Sequence, residues 1–144
     1  MYLLDTDILS NLLRRVPPPT LVTKLASVPR EQQFTSSITV GELVYGAYRL
    51  KERASTLLRR IDETLPPNLP VLPFDASAAR RYGEVRAALE RRGTPIGDAD
   101  LRIASIALSH DLTVITGNVR HFARVPGLRV ENWLQSPPPV PPGP

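Results

Sequence analysis

Apolar and polar positions along the chain alternate between two periods, one of strands and one of helices. YLLD, residues 2–5, is a short apolar run ending in a carboxylate, and ILSNLLRR after it reads as a short helix. Pro17, Pro18 and Pro19 then break the chain. Thr20 is placed to cap a helix over TLVTKLASV, which Pro29 closes. QQFTSS predicts a second strand, with Phe34 and Thr35 favouring extended backbone. In VGELVYGAYRL, Leu43, Ala47 and Leu50 recur on one helix face. A further helix over about 53–65 carries Leu57, Leu58, Ile61 and Leu65 and ends at Pro66 and Pro67. VLPF is a weak third strand, because Pro73 suits only an edge or a strand end. Asp75 caps a long helix running to about Arg92, with Gly93 as its stop. DADLRIASIALSHD is the next helix, TVIT the fourth strand, RHFARV a short helical turn and LRVEN the last strand.

Strands alternating with helices imply a parallel sheet covered on both faces. Right-handed crossovers make this a three-layer α/β/α sandwich with a five-stranded, mainly parallel sheet. One domain is expected over residues 1–134. The tail SPPPVPPGP, within 135–144, is too rich in proline for helix or sheet and reads as a flexible end.

Composition narrows the class. Hydrophobic residues make up 42% and charged residues 22%, as in an ordinary globular domain. The absence of cysteine excludes disulfides and thiolate metal sites. No stretch approaches the roughly 20 apolar residues of a membrane span, and acids interrupt the first apolar run too early for a signal peptide. A cytoplasmic protein without membrane contact is the expectation. The net charge is +4 and Arg outnumbers Lys 16 to 2, which admits a polyanionic partner without requiring one.

The carboxylates carry the chemistry. Ligands of an open parallel sheet bind outside the carboxyl ends of its strands. Asp5 closes the first strand, Glu42 lies early in the helix after the second, Asp98 and Asp100 open the helix before the fourth, and Asn118 follows that strand's end at Thr116. Each alone has an ordinary use: Thr39-x-x-Glu42 matches a capping box, Asp98 is a natural N-cap, and Asp5 could accept from loop amides. Their convergence on one edge is less ordinary, because crowded acids repel one another unless a cation neutralises them. Oxygen donors without sulfur point to a hard ion such as Mg²⁺ or Mn²⁺. At about 100° per residue, Asp100 shares the apolar stripe of Ile103, Ala104 and Ala107, whereas Asp98 points off it. Asp100 is therefore the better ligand and Asp98 the better cap. Gly46, one turn after Glu42, removes bulk beside the site. His110 and His121 show no metal-ligand spacing and are left outside the site, and no Walker loop or GxGxxG motif signals a nucleotide cofactor.

The stretches YLLDTDIL, TSSITVGELVYGA, PIGDADLRIASIAL and LTVITGNVRHFARVPGLRVENW, in this order and spacing, resemble the PIN-domain ribonucleases, in particular the VapC toxins of bacterial toxin–antitoxin pairs. The resemblance covers about residues 1–134. It implies metal-dependent hydrolysis of RNA phosphodiester bonds that arrests translation, with Asp5, Glu42 and Asp100 as metal ligands and Asn118 in the fourth catalytic position. Asp98 falls at a variable, supporting position. Many relatives have an acid where Asn118 stands, so the lower charge here weakens the case for a second tightly held ion. The resemblance further implies Mg²⁺, with Mn²⁺ as a substitute, a homodimer, and a small antitoxin whose C-terminal segment fills the active-site groove. The competing expectation is a PIN-like module with little nuclease activity that, with its antitoxin, binds operator DNA and regulates transcription. A receiver-like domain fits poorly, since neither Lys24 nor Lys51 ends a strand.

Overall fold

The computed structural model describes residues 1–65, 68–135 and 142–143. Its five strands are β1 (Tyr2–Leu4), β2 (Gln33–Ser36), β3 (Val71–Leu72), β4 (Thr113–Ile115) and β5 (Val130–Glu131). They pair in the order β3-β2-β1-β4-β5, every pairing being parallel. Seven α-helices fill the connections: α1 (Thr6–Leu12), α2 (Pro19–Ala26), α3 (Ser37–Arg49), α4 (Ala54–Thr64), α5 (Ala76–Arg92), α6 (Asp98–Ser109) and α7 (Val119–Phe122).

Successive strand residues point to opposite faces, and each face has its own core. Leu3 and Val114 enter a cluster with Val85, Leu89, Ile103, Ala107 and Phe122, beneath α5, α6 and α7. Leu4 and Ile115, their neighbours, enter the other cluster with Ile8, Leu21, Leu43, Ile61 and Trp133. Both strand pairs therefore sit between two helical layers, as the three-layer reading requires. Among the described residues, no helix is long and apolar enough to cross a membrane.

Most elements fall where the pattern places them, β3 at the sheet edge included. Asp75 accepts from the Ala78 amide at 2.9 Å and Gly93 adopts the left-handed conformation with φ 67°, so the two signals bound α5. Several local expectations fail. Thr20 does not cap α2; Pro19 occupies the first turn, where its missing N–H costs nothing. Leu50 is 53% exposed, because α3 stops at Arg49 and a 3-10 turn redirects the chain. The capping box fails too, as described below. Of the proline-rich tail, residues 136–141 and 144 lie outside the described residues.

Candidate active site

Asp5 sits where β1 ends. Its amide donates to the Ile115 carbonyl at 2.9 Å, so the residue is locked between β1 and β4 before its side chain does anything. The side chain is only 4% exposed. Thr116 Oγ donates to Asp5 Oδ2 at 2.8 Å, while the buried Oδ1 has no hydrogen-bond partner among the described residues. Burial disfavours the carboxylate and is the main reason its pKa is pushed up to about 7. The bond from Thr116 opposes that shift, and the charges of Asp7 and Asp100 add to it.

Glu42 reaches the same edge from the second turn of α3, a turn later than expected, because the helix starts at Ser37 directly after β2. Ser36 is the cap, accepting from the Thr39 amide at 3.1 Å. Thr39 lies inside the helix and buried, so Thr39-x-x-Glu42 is no capping box. Glu42 Oε1 instead accepts from Thr6 Oγ1 at 2.6 Å, across the gap between α1 and α3. Asp100, in the first turn of α6, heads the stripe of Ile103, Ala104 and Ala107, all fully buried. Its pKa is raised, first by burial; His121 opposes the shift, and Glu42 and Asp7 reinforce it. Asn118 completes the group, its Nδ2 lying 3.5 Å from Asp100 Oδ2. Asp5, Glu42, Asp100 and Asn118 thus share one open depression of about 350 Å³, with Asp7, Thr6, Ser10 and Asn11 also on its walls.

Asp98 does not join them. Gly97 is the N-cap of α6, and Asp98 accepts from the Tyr82 hydroxyl at 2.6 Å and forms an ion pair with Arg102, Nε lying 2.8 Å from Oδ2. The Tyr82 bond is the main reason its pKa is lowered. It is not the cap, and its two oxygens are taken up by Tyr82 and Arg102, outside the residues that line the depression. Two residues escaped the sequence reading. Asp7 Oδ2 accepts from the Gly117 amide at 2.7 Å, which ties α1 to the turn after β4. His121 Nδ1 lies 2.9 Å from Asn118 Nδ2 and 3.5 Å from Asp100 Oδ2. The DTD spacing offered a clue to Asp7; nothing in the spacing of His121 marked it.

The donor set fits a hard divalent cation. Asp5 Oδ1 is a buried oxygen without a partner, and the acids around it raise one another's pKa, so a positive charge would relieve both. In this side-chain arrangement the described residues form no closed cluster of three metal-binding groups, Glu42 being turned to Thr6.

The PIN domain family matches residues 2–128. The tRNA(fMet)-specific endonuclease VapC of Salmonella typhimurium is 36% identical over 132 residues, covering 92% of this chain and 97% of that one. Ribonuclease VapC2 of Rickettsia felis is 34% identical and covers 92% and 98% of the two chains. Among solved structures, VapBC2 from Rickettsia felis bound to a DNA fragment from its promoter superposes with a TM-score of 0.83 at 32% identity, covering 92% of this chain and 98% of that one. Fold and sequence agree, and the chain belongs to the PIN-domain family, among the VapC ribonucleases.

Proposed function

We propose that this chain is a divalent-metal-dependent endoribonuclease, the toxin of a toxin–antitoxin pair, acting through Asp5, Glu42, Asp100 and Asn118. The observation that carries the reading is Asp5: a buried carboxylate with one orphaned oxygen, facing two more acids across an open depression. Asp5, Glu42 and Asp100 would hold the ion, Mg²⁺ with Mn²⁺ as a substitute, and Asn118 would serve as a further oxygen donor or orient water. When bound, the ion lowers the pKa of water and offsets charge gathering on the phosphate in the transition state.

The protein's own residues supply order. Thr116 fixes one oxygen of Asp5 and leaves the other buried and unpartnered among the described residues, and Thr6 fixes Glu42. Asp7 holds the Gly117 turn, so that Asn118 is delivered at a set position after β4. An RNA strand meets this edge from solvent, since Glu42 is exposed and the depression is open. Sixteen arginines give the chain a basic balance that suits a phosphate backbone.

The partners follow the relatives: a small antitoxin that silences the site, operator DNA reached through that antitoxin, and a second copy in a homodimer, all in the cytoplasm. Solved structures of relatives include a DNA-bound VapBC from Salmonella typhimurium, which supports operator binding by the toxin–antitoxin pair. Induced expression in a bacterium without the antitoxin tests the toxin role. Wild type arrests growth and Asp100→Asn does not, at equal soluble protein; equal arrest by both would sink the site assignment.

A further inference from the structure

We infer that His121 is a positioning residue, which holds the Asn118 amide so that its oxygen faces the acidic depression. The inference rests on the placement of Asn118 in the site proposed above. Asn118 Nδ2 lies between two groups, His121 Nδ1 at 2.9 Å and Asp100 Oδ2 at 3.5 Å. An amide nitrogen only donates, so the imidazole accepts at Nδ1 and carries its proton on Nε2. The flipped amide would set oxygen against the Asp100 carboxylate oxygen, so Asp100 selects the same orientation. Nδ1 also stands 3.5 Å from Asp100 Oδ2 and donates to it only when the ring carries a second proton; in the neutral ring the shorter contact to Asn118 governs it. Oδ1 is then left at the other end of a planar amide, without a hydrogen-bond partner among the described residues, on a side chain that lines the depression.

The imidazole is well anchored for this work. Its neighbour Phe122 is fully buried in the core beneath α6. Arg124 donates to the Pro95 carbonyl at 3.0 Å, tying the segment to the loop that leads into Asp100. His121 and Asn118 therefore form a matched pair: a neutral oxygen is presented where a further carboxylate beside Asp5, Glu42 and Asp100 would add repulsion. An aspartate at 118 would face the same ring with no proton to share unless the tautomer changed.

The test is Mn²⁺ binding by the RNA-free protein, read from the loss of the free Mn²⁺ paramagnetic resonance signal. The His121 side chain is 43% exposed, so truncation is expected to leave the unfolding temperature close to that of wild type. His121→Ala should weaken Mn²⁺ binding about tenfold, as removal of a ligand's partner typically does. His121→Asn should restore most of the affinity, because its oxygen accepts where Nδ1 did. In an Asn118→Ala background, His121→Ala should cost nothing more. Wild-type affinity in His121→Ala, no rescue by His121→Asn, or an equal loss without Asn118 would each overturn the positioning role. Failure of the metal site itself has a separate signature: wild type would then bind Mn²⁺ no better than Asp5→Asn, and the positioning role would fall with it.

Discussion

Asp5 is costly to ionise in the folded protein, and that cost has a pH signature. Its pKa rises from 3.8 to about 7 on folding, so between these values the native state holds a proton that the unfolded chain has released. Stability of the metal-free protein should therefore fall as pH climbs from about 4 to about 7 and stay low above it, by up to roughly 4 kcal/mol from this group. Denaturant midpoints across that range measure it. Saturating Mn²⁺ or Mg²⁺ should flatten the slope at its alkaline end, and Asp5→Asn should remove most of it. Thr116→Val removes the buried donor to Asp5 Oδ2 and the half-buried acceptor of the Asn118 backbone N–H at 2.9 Å. The expected loss is about 1–3 kcal/mol of stability, with RNA cleavage reduced more than tenfold. Asp5 was legible in the sequence because an acid ending an apolar run needs a reason, and Asp100 because it heads an apolar stripe. His121 was not legible, since a side chain that acts by touching Asn118 leaves no periodic trace.

Turns and helix starts decide where those side chains go. A Cβ on Gly117 would stand 2.6 Å from Asp7 Oδ2 and 2.9 Å from a Leu134 methyl, so Gly117→Ala must push Asp7 off the turn it holds. Unfolding curves should show a loss of about 1–3 kcal/mol, with cleavage falling further than stability alone explains. Asp98→Ala tests the opposite face of α6: it cuts exposed contacts to Tyr82 and Arg102, should cost under about 1 kcal/mol, and should leave cleavage within a few-fold of wild type. Comparable inactivity of Asp98→Ala and Asp100→Ala would mean that helix geometry had separated them wrongly. Helix ends are legible where side chains declare them, the start of α5 at Asp75 and its stop at Gly93. The start of α3 was read late, because β2 passes into the helix without a loop and Ser36 caps it from the strand's last position. Composition offers no mark for such a junction.

Topology does the gathering. Because β1, β2 and β4 run parallel and adjacent, their carboxyl ends bring Asp5, the start of α3 and Asn118 to one edge, and α6 returns Asp100 to it. That convergence could be argued from strand–helix alternation alone, whereas the side-chain contacts within it needed coordinates. Removal of residues 135–144 is expected to leave unfolding temperature and cleavage unchanged, since among the described residues Trp133 is the last buried side chain of the core, with Leu134 packed against it. The central claim is that the acidic edge is a metal-dependent ribonuclease centre, and one measurement tests it most directly. Purified protein is incubated with total RNA in Mg²⁺, in Mn²⁺ and in EDTA, beside Asp5→Asn and Asp100→Asn. The expected result is discrete fragments that require the metal and vanish in both variants. Cleavage that persists in EDTA or in either variant, or no cleavage by folded wild type with metal, would contradict it.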